Sequence, residues 1–419
     1  MTHVLRHRDI RFLWLGLTIS TLGDRLVTVA LALFVIEETG SPTDLGLVLA
    51  AHSLPLVGFL LVGGVWADRL PRARVMIASD VVRCALHAGL AALIFTGWVE
   101  VWHLVVIEAL FGTAEAFFRP AFSGLVPQTV PDADLQQANA LTGLVKNLGE
   151  FVGPVLATAL VLGVGAGWAF GFDAVTFLVS AVFLLGVRAR DRGVAAADAP
   201  FGMLAELREG YGAVRSRPWV WVTVAAFGGA LLVCLGPWLV LGPLVAEERY
   251  GSIGVYGAIS AALGAGTLVG SVVSVRWRPR YPVRMAILVV LAWPVSAGAF
   301  ALGLPLAVVV AATALAGVGI ALFDVWWLTA LGERIPPHLL SRVTSYDWLG
   351  SLALLPLGYV LAGPLGEALG ATEVLLGGAV LGFVVLALAL VPRETRMLER
   401  LPGAQPNSGV PSSGVEASA

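Results

Sequence analysis

The chain has 419 residues, of which 58% are hydrophobic and only 13% charged, and its mean hydropathy is +0.87. A soluble domain carries about 25% charged residues, so this composition excludes a soluble globular protein and places the chain in lipid. The 26 basic and 28 acidic residues nearly balance, so net charge says nothing about partners and the information lies in where the charges fall; no nucleic-acid partner is expected.

A membrane-crossing helix needs about 20 consecutive apolar residues. Taken in order, such segments fall at roughly 10–36, 45–66, 75–97, 101–123, 136–163, 167–188, 219–246, 254–276, 283–303, 305–328, 341–363 and 371–391. The basic start, Arg6, Arg8 and Arg11, runs directly into the first span without a small-residue cleavage site, so no signal peptide is expected. The first span carries Asp24 near its middle, beside Gly23 and Arg25. Neighbouring residues on a helix point about 100° apart, so Arg25 need not be the partner of Asp24. Spans 2 and 3 form a hairpin around a short basic loop, Gly64-Val-Trp-Ala-Asp68-Arg69-Leu-Pro-Arg72-Ala-Arg74.

Span 4 carries Glu108, Gly112, Glu115 and Arg119, whose spacings of 4, 3 and 4 put all of them on one helix face. Glu115 and Arg119 are placed to pair. In span 5, Lys146 and Glu150 are also four apart and read as an ion pair, or Glu150 lines a cavity and attracts cationic substrates. Asp173 and Asp347 are weaker candidates in spans 6 and 11. Ionisable residues inside a span mark a pathway or a paired support. Asp24, Glu108, Glu115 and Glu150 are therefore the candidates for taking up and releasing a proton.

The polar stretch 189–218 divides six spans from six, and residues 201–215 have the pattern of a helix lying along a membrane surface. Trp326, Trp327 and Trp348 are candidates for stacking on a flat substrate in a central cavity. From Pro402 the chain is rich in Pro, Gly, Ser and Ala, a composition expected to be disordered.

Arginines gather at the start, after spans 2 and 8, in the central loop, around the loop after span 10 and in the tail, whereas the opposite loops hold Arg249 among many acids. Short basic loops stay inside, so both termini are expected in the cytoplasm. The halves also repeat. Gly112 to Arg119 aligns with Gly317 to Asp324 at an offset of 205, which also brings Pro131 onto Pro336 and Gly153 onto Gly358; at 207, Gly63 falls on Gly270 and Arg69 on Arg276. Arg119 and Asp324 thus occupy equivalent places, and their opposite charges suit an inner-gate pair formed when the cytoplasmic side closes. No phosphate-binding Gly-rich loop is present, Cys84 and Cys234 form no disulfide framework, and no Cys/His cluster suggests a metal. Of the six histidines, His52 and His87 fall well inside spans; each reads as a packed or water-linked residue.

The basic loop resembles the loop between helices 2 and 3 of the major facilitator superfamily, through Gly64, Asp68, Arg69, Arg72 and Arg74, with Pro71 in place of the usual Gly. Arg8-Asp-Ile-Arg-Phe-Leu-Trp14 and Ala116-Phe-Phe-Arg-Pro-Ala121 are similar to its enterobactin-exporter-like and macrolide-efflux-like drug:proton antiporter branch, and Gly149 with Gly153-Pro154 resembles the helix 5 motif associated with antiporters, with Ala157 in place of its usual last Gly. The resemblance implies that Gly64, Asp68, Arg69 and Arg72 form a conformational motif in which Asp68 caps span 11 in one state.

The expected fold is all-α, twelve transmembrane helices in two pseudo-symmetric six-helix halves: 1–188, then a cytoplasmic central loop 189–218, a second half 219–392 and a disordered cytoplasmic tail 393–419. The expected function is secondary active export of a hydrophobic or amphipathic small molecule by proton antiport, in a bacterial inner membrane, by a monomer that needs no cofactor and is not an enzyme. The alternatives are a dedicated siderophore or secondary-metabolite exporter and, from another class, a non-transporting receptor or sensor.

Overall fold

The computed structural model describes residues 4–131, 134–188 and 203–400. Among these residues the chain is helical throughout, with no strand, and twelve helices are long and apolar enough to cross a membrane. Spans 1 to 6 are Arg8–Thr39, Pro42–Arg69, Arg72–Thr96, Val101–Thr129, Leu135–Val164 and Ala166–Leu185. Spans 7 to 10 are Pro218–Tyr250, Gly254–Arg276, Pro282–Ala301 and Leu306–Arg334, and span 12 is Ala371–Leu388. Span 11 is built from Pro337–Leu352 and Leu355–Leu369. All twelve expected spans are found, several of them a turn longer than the apolar runs that announced them.

Local signals explain the ends. Span 1 stops at Gly40, whose φ of 64° suits a residue without a Cβ. At the next residue the Ser41 hydroxyl accepts from the Asp44 amide at 3.2 Å and Pro42 occupies the first turn, which starts span 2. Three irregular turns each lie just ahead of a proline whose ring opposes the carbonyl four residues back. Span 7 widens into a π turn over Leu231–Leu235 before Pro237, span 9 breaks at Leu291 before Pro294, and span 11 breaks before Pro356. Pro55 and Pro154 are carried inside unbroken helices, as membrane helices allow.

Small residues set the close approaches. In the first half, a Cβ on Gly63 would run into the Ala116 carbonyl of span 4. In the second, a Cβ on Gly270 would stand 2.9 Å from Ala321 in span 10. Ala321 is the repeat-equivalent of Ala116, so the two sequence offsets correspond to one packing contact made twice.

The halves meet along spans 5 and 8, where Asn147 donates to the Ser271 hydroxyl at 2.9 Å and the Glu150 carbonyl lies against Gly264. They also meet between span 2 and the second segment of span 11, where Gly46 faces the Tyr359 carbonyl and Gly363 faces the Thr43 backbone. These last contacts lie at the end of the molecule away from Arg69, Arg72 and Arg276. At the arginine-rich end, Arg119 and Asp324 are both exposed. The halves therefore close on one side and part on the arginine-rich side.

Two further segments cover that side. The helix Met203–Arg215 sets Gly210 against Tyr346 and Arg342, and Glu209 pairs with Arg342. It thus lies on the first turns of span 11. Residues 393–400, assigned above to the disordered tail, are ordered: Arg393–Met397 is a short helix, and Glu399 accepts from Arg280 at 2.8 Å and Tyr281 at 3.2 Å. The Pro-Gly-Ser-rich remainder falls outside the described residues.

Candidate functional site

Asp80, Arg83 and His87 follow one another on span 3 at spacings of 3 and 4, on a single face turned away from lipid. All three are fully buried. Arg83 donates to Asp80 at 2.5 Å, and its other terminal nitrogen lies 3.8 Å from Asp24 of span 1. Its guanidinium sits over the rings of Phe177 at 4.2 Å and Phe118 at 4.4 Å, which favour a cation on their faces.

His87 stacks on Phe111 with 4.2 Å between ring centroids. Its Nδ1 is 2.5 Å from Asp173 of span 6, and its Nε2 is 3.7 Å from Oε1 of Glu108. Gly23 makes room for this arrangement, since any Cβ there would collide with Asp173 and Thr176.

Span 2 supplies His52. Its Nδ1 is 3.0 Å from Glu108 Oε2 and its Nε2 is 3.1 Å from Glu115 Oε2. The ring reaches both acids because Gly112, one turn from each, lets the His52 backbone press directly on span 4. Glu115 in turn accepts from Arg119 at 2.7 and 2.9 Å. The one-face reading of span 4 is thereby realised: Glu108, Gly112, Glu115 and Arg119 line a single seam.

The network holds five carboxylates, Asp24, Asp80, Glu108, Glu115 and Asp173, against the fixed cations Arg83 and Arg119 and two imidazoles. Even with both imidazoles protonated, one negative charge is left over. Uncompensated charge is costly in a medium of low dielectric, so the cluster is chemically suited to taking up protons. Side-chain exposures of 34% at Asp24 and 47% at Arg119 contrast with the buried interior and mark where the network opens.

Several expectations change. Glu150 does not pair with Lys146, which is exposed; it accepts from Arg25 at 3.0 Å. Gly149 and Gly153 strip one face of span 5, and the Arg25 stem lies directly against them. Arg25 is accordingly not the partner of Asp24. Trp326 and Trp327 are buried within the second half and are not placed to stack on a substrate. Trp326 donates to the Trp277 carbonyl at 3.1 Å, and Trp327 donates to Asp347 at 3.0 Å and lies parallel to Phe323. Span 10 turns this face toward spans 7 and 8, where the indoles fill core volume. Trp348 is exposed. Arg72 ties the basic loop to span 4 by donating to the Gly124 carbonyl at 2.6 Å, and Arg69 is exposed; the surroundings of Gly64 and of the Asp68 side chain fall outside what is described. Arg119 is held by Glu115, away from Asp324.

Asp80 and Arg83 are not among the residues the sequence singles out, and His52 and His87 read from sequence as packed or water-linked residues. The 80/83/87 spacing, three polar residues on one face of an apolar helix, is the signal that points to them.

Twelve spans in two halves that share one packing scheme, with ionisable side chains buried in the first, define a multi-pass membrane transporter. The chain belongs to the Major Facilitator Superfamily, whose family profile matches residues 13–351. It is 29% identical over 392 residues to the multidrug efflux pump Tap of Mycolicibacterium fortuitum, covering 88% of this chain and 92% of Tap. It is 27% identical over 376 residues to the enterobactin exporter EntS of Escherichia coli O1:K1 / APEC, covering 89% and 85% respectively. Macrolide efflux protein A of Streptococcus pyogenes is 20% identical over 400 residues, covering 92% of this chain and 96% of that protein. Among solved structures, the nucleoside transporter NupG superposes with a TM-score of 0.75 at 13% identity, over 92% of this chain and 99% of NupG. A bacterial homologue of the lysosomal transporter Spinster, in an inward-facing unoccupied conformation, superposes with a TM-score of 0.69 at 16% identity, over 95% of this chain and 99% of that one.

Proposed function

We propose that this transporter exports an amphipathic, drug-like small molecule in exchange for protons, by alternating access between its two halves. The observation that carries the reading is the buried network of spans 1 to 4 and 6, in which carboxylates outnumber fixed cations. Such a cluster is stabilised by bound protons when it is sealed from water. Three relatives named for efflux or export support the direction of transport. The arginine-rich side then faces the cytoplasm with both termini, in a bacterial cytoplasmic membrane, and the working unit is a monomer.

Asp24 and the Glu108–Glu115 seam take up protons from outside and release them inside. Arg119 and Asp324 serve as the inner gate: when the cytoplasmic side closes, Arg119 exchanges Glu115 for Asp324. The basic loop, with Gly64, Asp68, Arg69 and Arg72, supports that movement. Residues 1–188 and 219–392 form the two moving units. Export of a dedicated siderophore or metabolite is the second reading, favoured by the likeness to the enterobactin exporter.

The test uses purified protein in proteoliposomes with an imposed pH gradient. Lumenal pH is followed while lipophilic dyes, macrolides, tetracyclines and siderophores are offered in turn. Proton flux that depends on a dye or macrolide, and is lost in Asp24→Asn and Glu108→Gln, is the expected result. Flux with siderophores alone favours the second reading. Substrate movement with no proton flux overturns the antiport assignment.

A further inference from the structure

Glu108 stands between two imidazoles, and each imidazole stands between two carboxylates. His87 is flanked by Asp173 at 2.5 Å and Glu108 at 3.7 Å; His52 is flanked by Glu108 at 3.0 Å and Glu115 at 3.1 Å. Four helices contribute, and acid and imidazole alternate in the order Asp173, His87, Glu108, His52, Glu115. Other charged groups touch the line at its margins: Asp80 and Arg83 on the same helix as His87, Asp24 beside Arg83, and Arg119 at the Glu115 end. Phe111, Phe170 and Phe177 enclose the His87 ring.

One interval differs from the rest. His87 Nε2 and Glu108 Oε1 face each other beyond hydrogen-bond range, and both are buried without another partner. A buried polar atom left unpaired costs about 1–3 kcal/mol, and two that face each other recover this by closing a few tenths of an ångström.

We propose that His52 and His87 carry the coupled proton through the first half, along Asp173–His87–Glu108–His52–Glu115, and that the His87–Glu108 interval is where the line is interrupted. The inference rests on the proton-coupled reading above and adds its carriers. In the step that crosses the gap, the Nε2–H of a doubly protonated His87 passes to Glu108 Oε1, leaving His87 neutral with Nδ1–H on Asp173. The Glu108 carboxyl turns over and gives that proton to His52 Nδ1, and His52 releases its Nε2–H to Glu115 Oε2. The proton that His87 gives up is the one that Glu115 gains; His52 ends neutral with its proton on Nδ1 instead of Nε2, and Asp173 and Arg119 keep their protonation. Span 3 supplies one side of the gap and span 4 the other, so a small shift between these helices makes or breaks the line.

The experiment reads imidazole nitrogens directly. The full chain is labelled with 15N-histidine, reconstituted in lipid nanodiscs, and the signals of His52 and His87 among the six histidines are assigned by their loss in His52→Gln and His87→Gln. Glu108→Gln removes the shared carboxylate and is expected to change both signals across a pH series. A change confined to His52 overturns the relay, because His87 would then answer only to Asp173. If Glu108→Gln does not fold, Asp173→Asn asks the same from the other end: a change that reaches His52 supports the line, and one that stops at His87 overturns it.

This arm needs no substrate. In proteoliposomes, with ethidium as the probe, His52→Gln and His87→Gln are expected to lose proton-driven uphill movement while keeping downhill movement. Uphill movement at wild-type rate in either variant removes that histidine from the path and leaves antiport intact. Ethidium movement without proton flux in the wild type overturns antiport and the carrier role together, and the spectra still report whether the imidazoles are connected.

Discussion

At the scale of single residues, an acid in an apolar helix announces itself, and Asp24, Glu108 and Glu115 were legible for that reason. Their partners were not, because a partner lies on another helix. Arg25 points to Glu150 and leaves Asp24 to Arg83, a choice made by which helix stands opposite each side chain. Arg83 is the cation on which the inner part of the network depends. Removing one member of a buried ion pair leaves the other charge uncompensated, at a cost of about 3–5 kcal/mol. Arg83→Gln is therefore expected to lower the thermal unfolding midpoint in detergent well below that of the wild type, whereas Arg6→Gln, at an exposed position, leaves it unchanged. Equal midpoints for the two variants would show that Asp80 does not need its partner.

At the scale of helices, spacing says which residues share a face and glycine says which face meets another backbone. The 4-3-4 spacing on span 4 was read correctly from the chain, and span 3 carries the matching 80/83/87 series. Gly112 shows what such a face requires, because a Cβ there would strike the His52 carbonyl. Gly112→Ala is expected to destabilise the protein by about 1–3 kcal/mol and to displace His52 from the two acids. Gly143→Ala, where an added Cβ meets open space, is the control expected to behave as wild type in the same melting assay. The tryptophans illustrate the opposite case. Trp326 and Trp327 stand out in the sequence as stacking candidates, but nothing along the chain says whether an indole faces a cavity or the core. Spans 7 and 8 settle it by packing on that side.

At the scale of the whole molecule, the two halves touch at one end and separate at the other. Thr43 of span 2 lies against Gly363 of span 11 on the closed side. A Cβ at Gly363 would strike the Thr43 backbone, so Gly363→Ala is expected to loosen this closed side and to slow transport in proteoliposomes; transport at the wild-type rate would mean that this close contact is not needed. On the parted side, the proposed gate makes a symmetric demand. Charge reversal at Arg119 or Asp324 is expected to impair transport, and the double reversal to restore part of it. Failure of the double variant, with both proteins present in the membrane in normal amounts, would exclude a direct pair.

The class of molecule, the twelve spans and the twofold repeat were set by local quantities: the length of apolar runs, the placing of arginines, and glycines recurring at offsets of 205 and 207. These act within one helix or between like helices, so they are written along the chain. Which acid meets which base was decided by packing between spans 1, 2, 3, 4 and 6, where contact depends on the rotation and depth of five helices at once. Histidine shows the difference most sharply. In a single apolar span it is indistinguishable from a packing residue, and it becomes part of a network only when two carboxylates from neighbouring helices close on its two nitrogens.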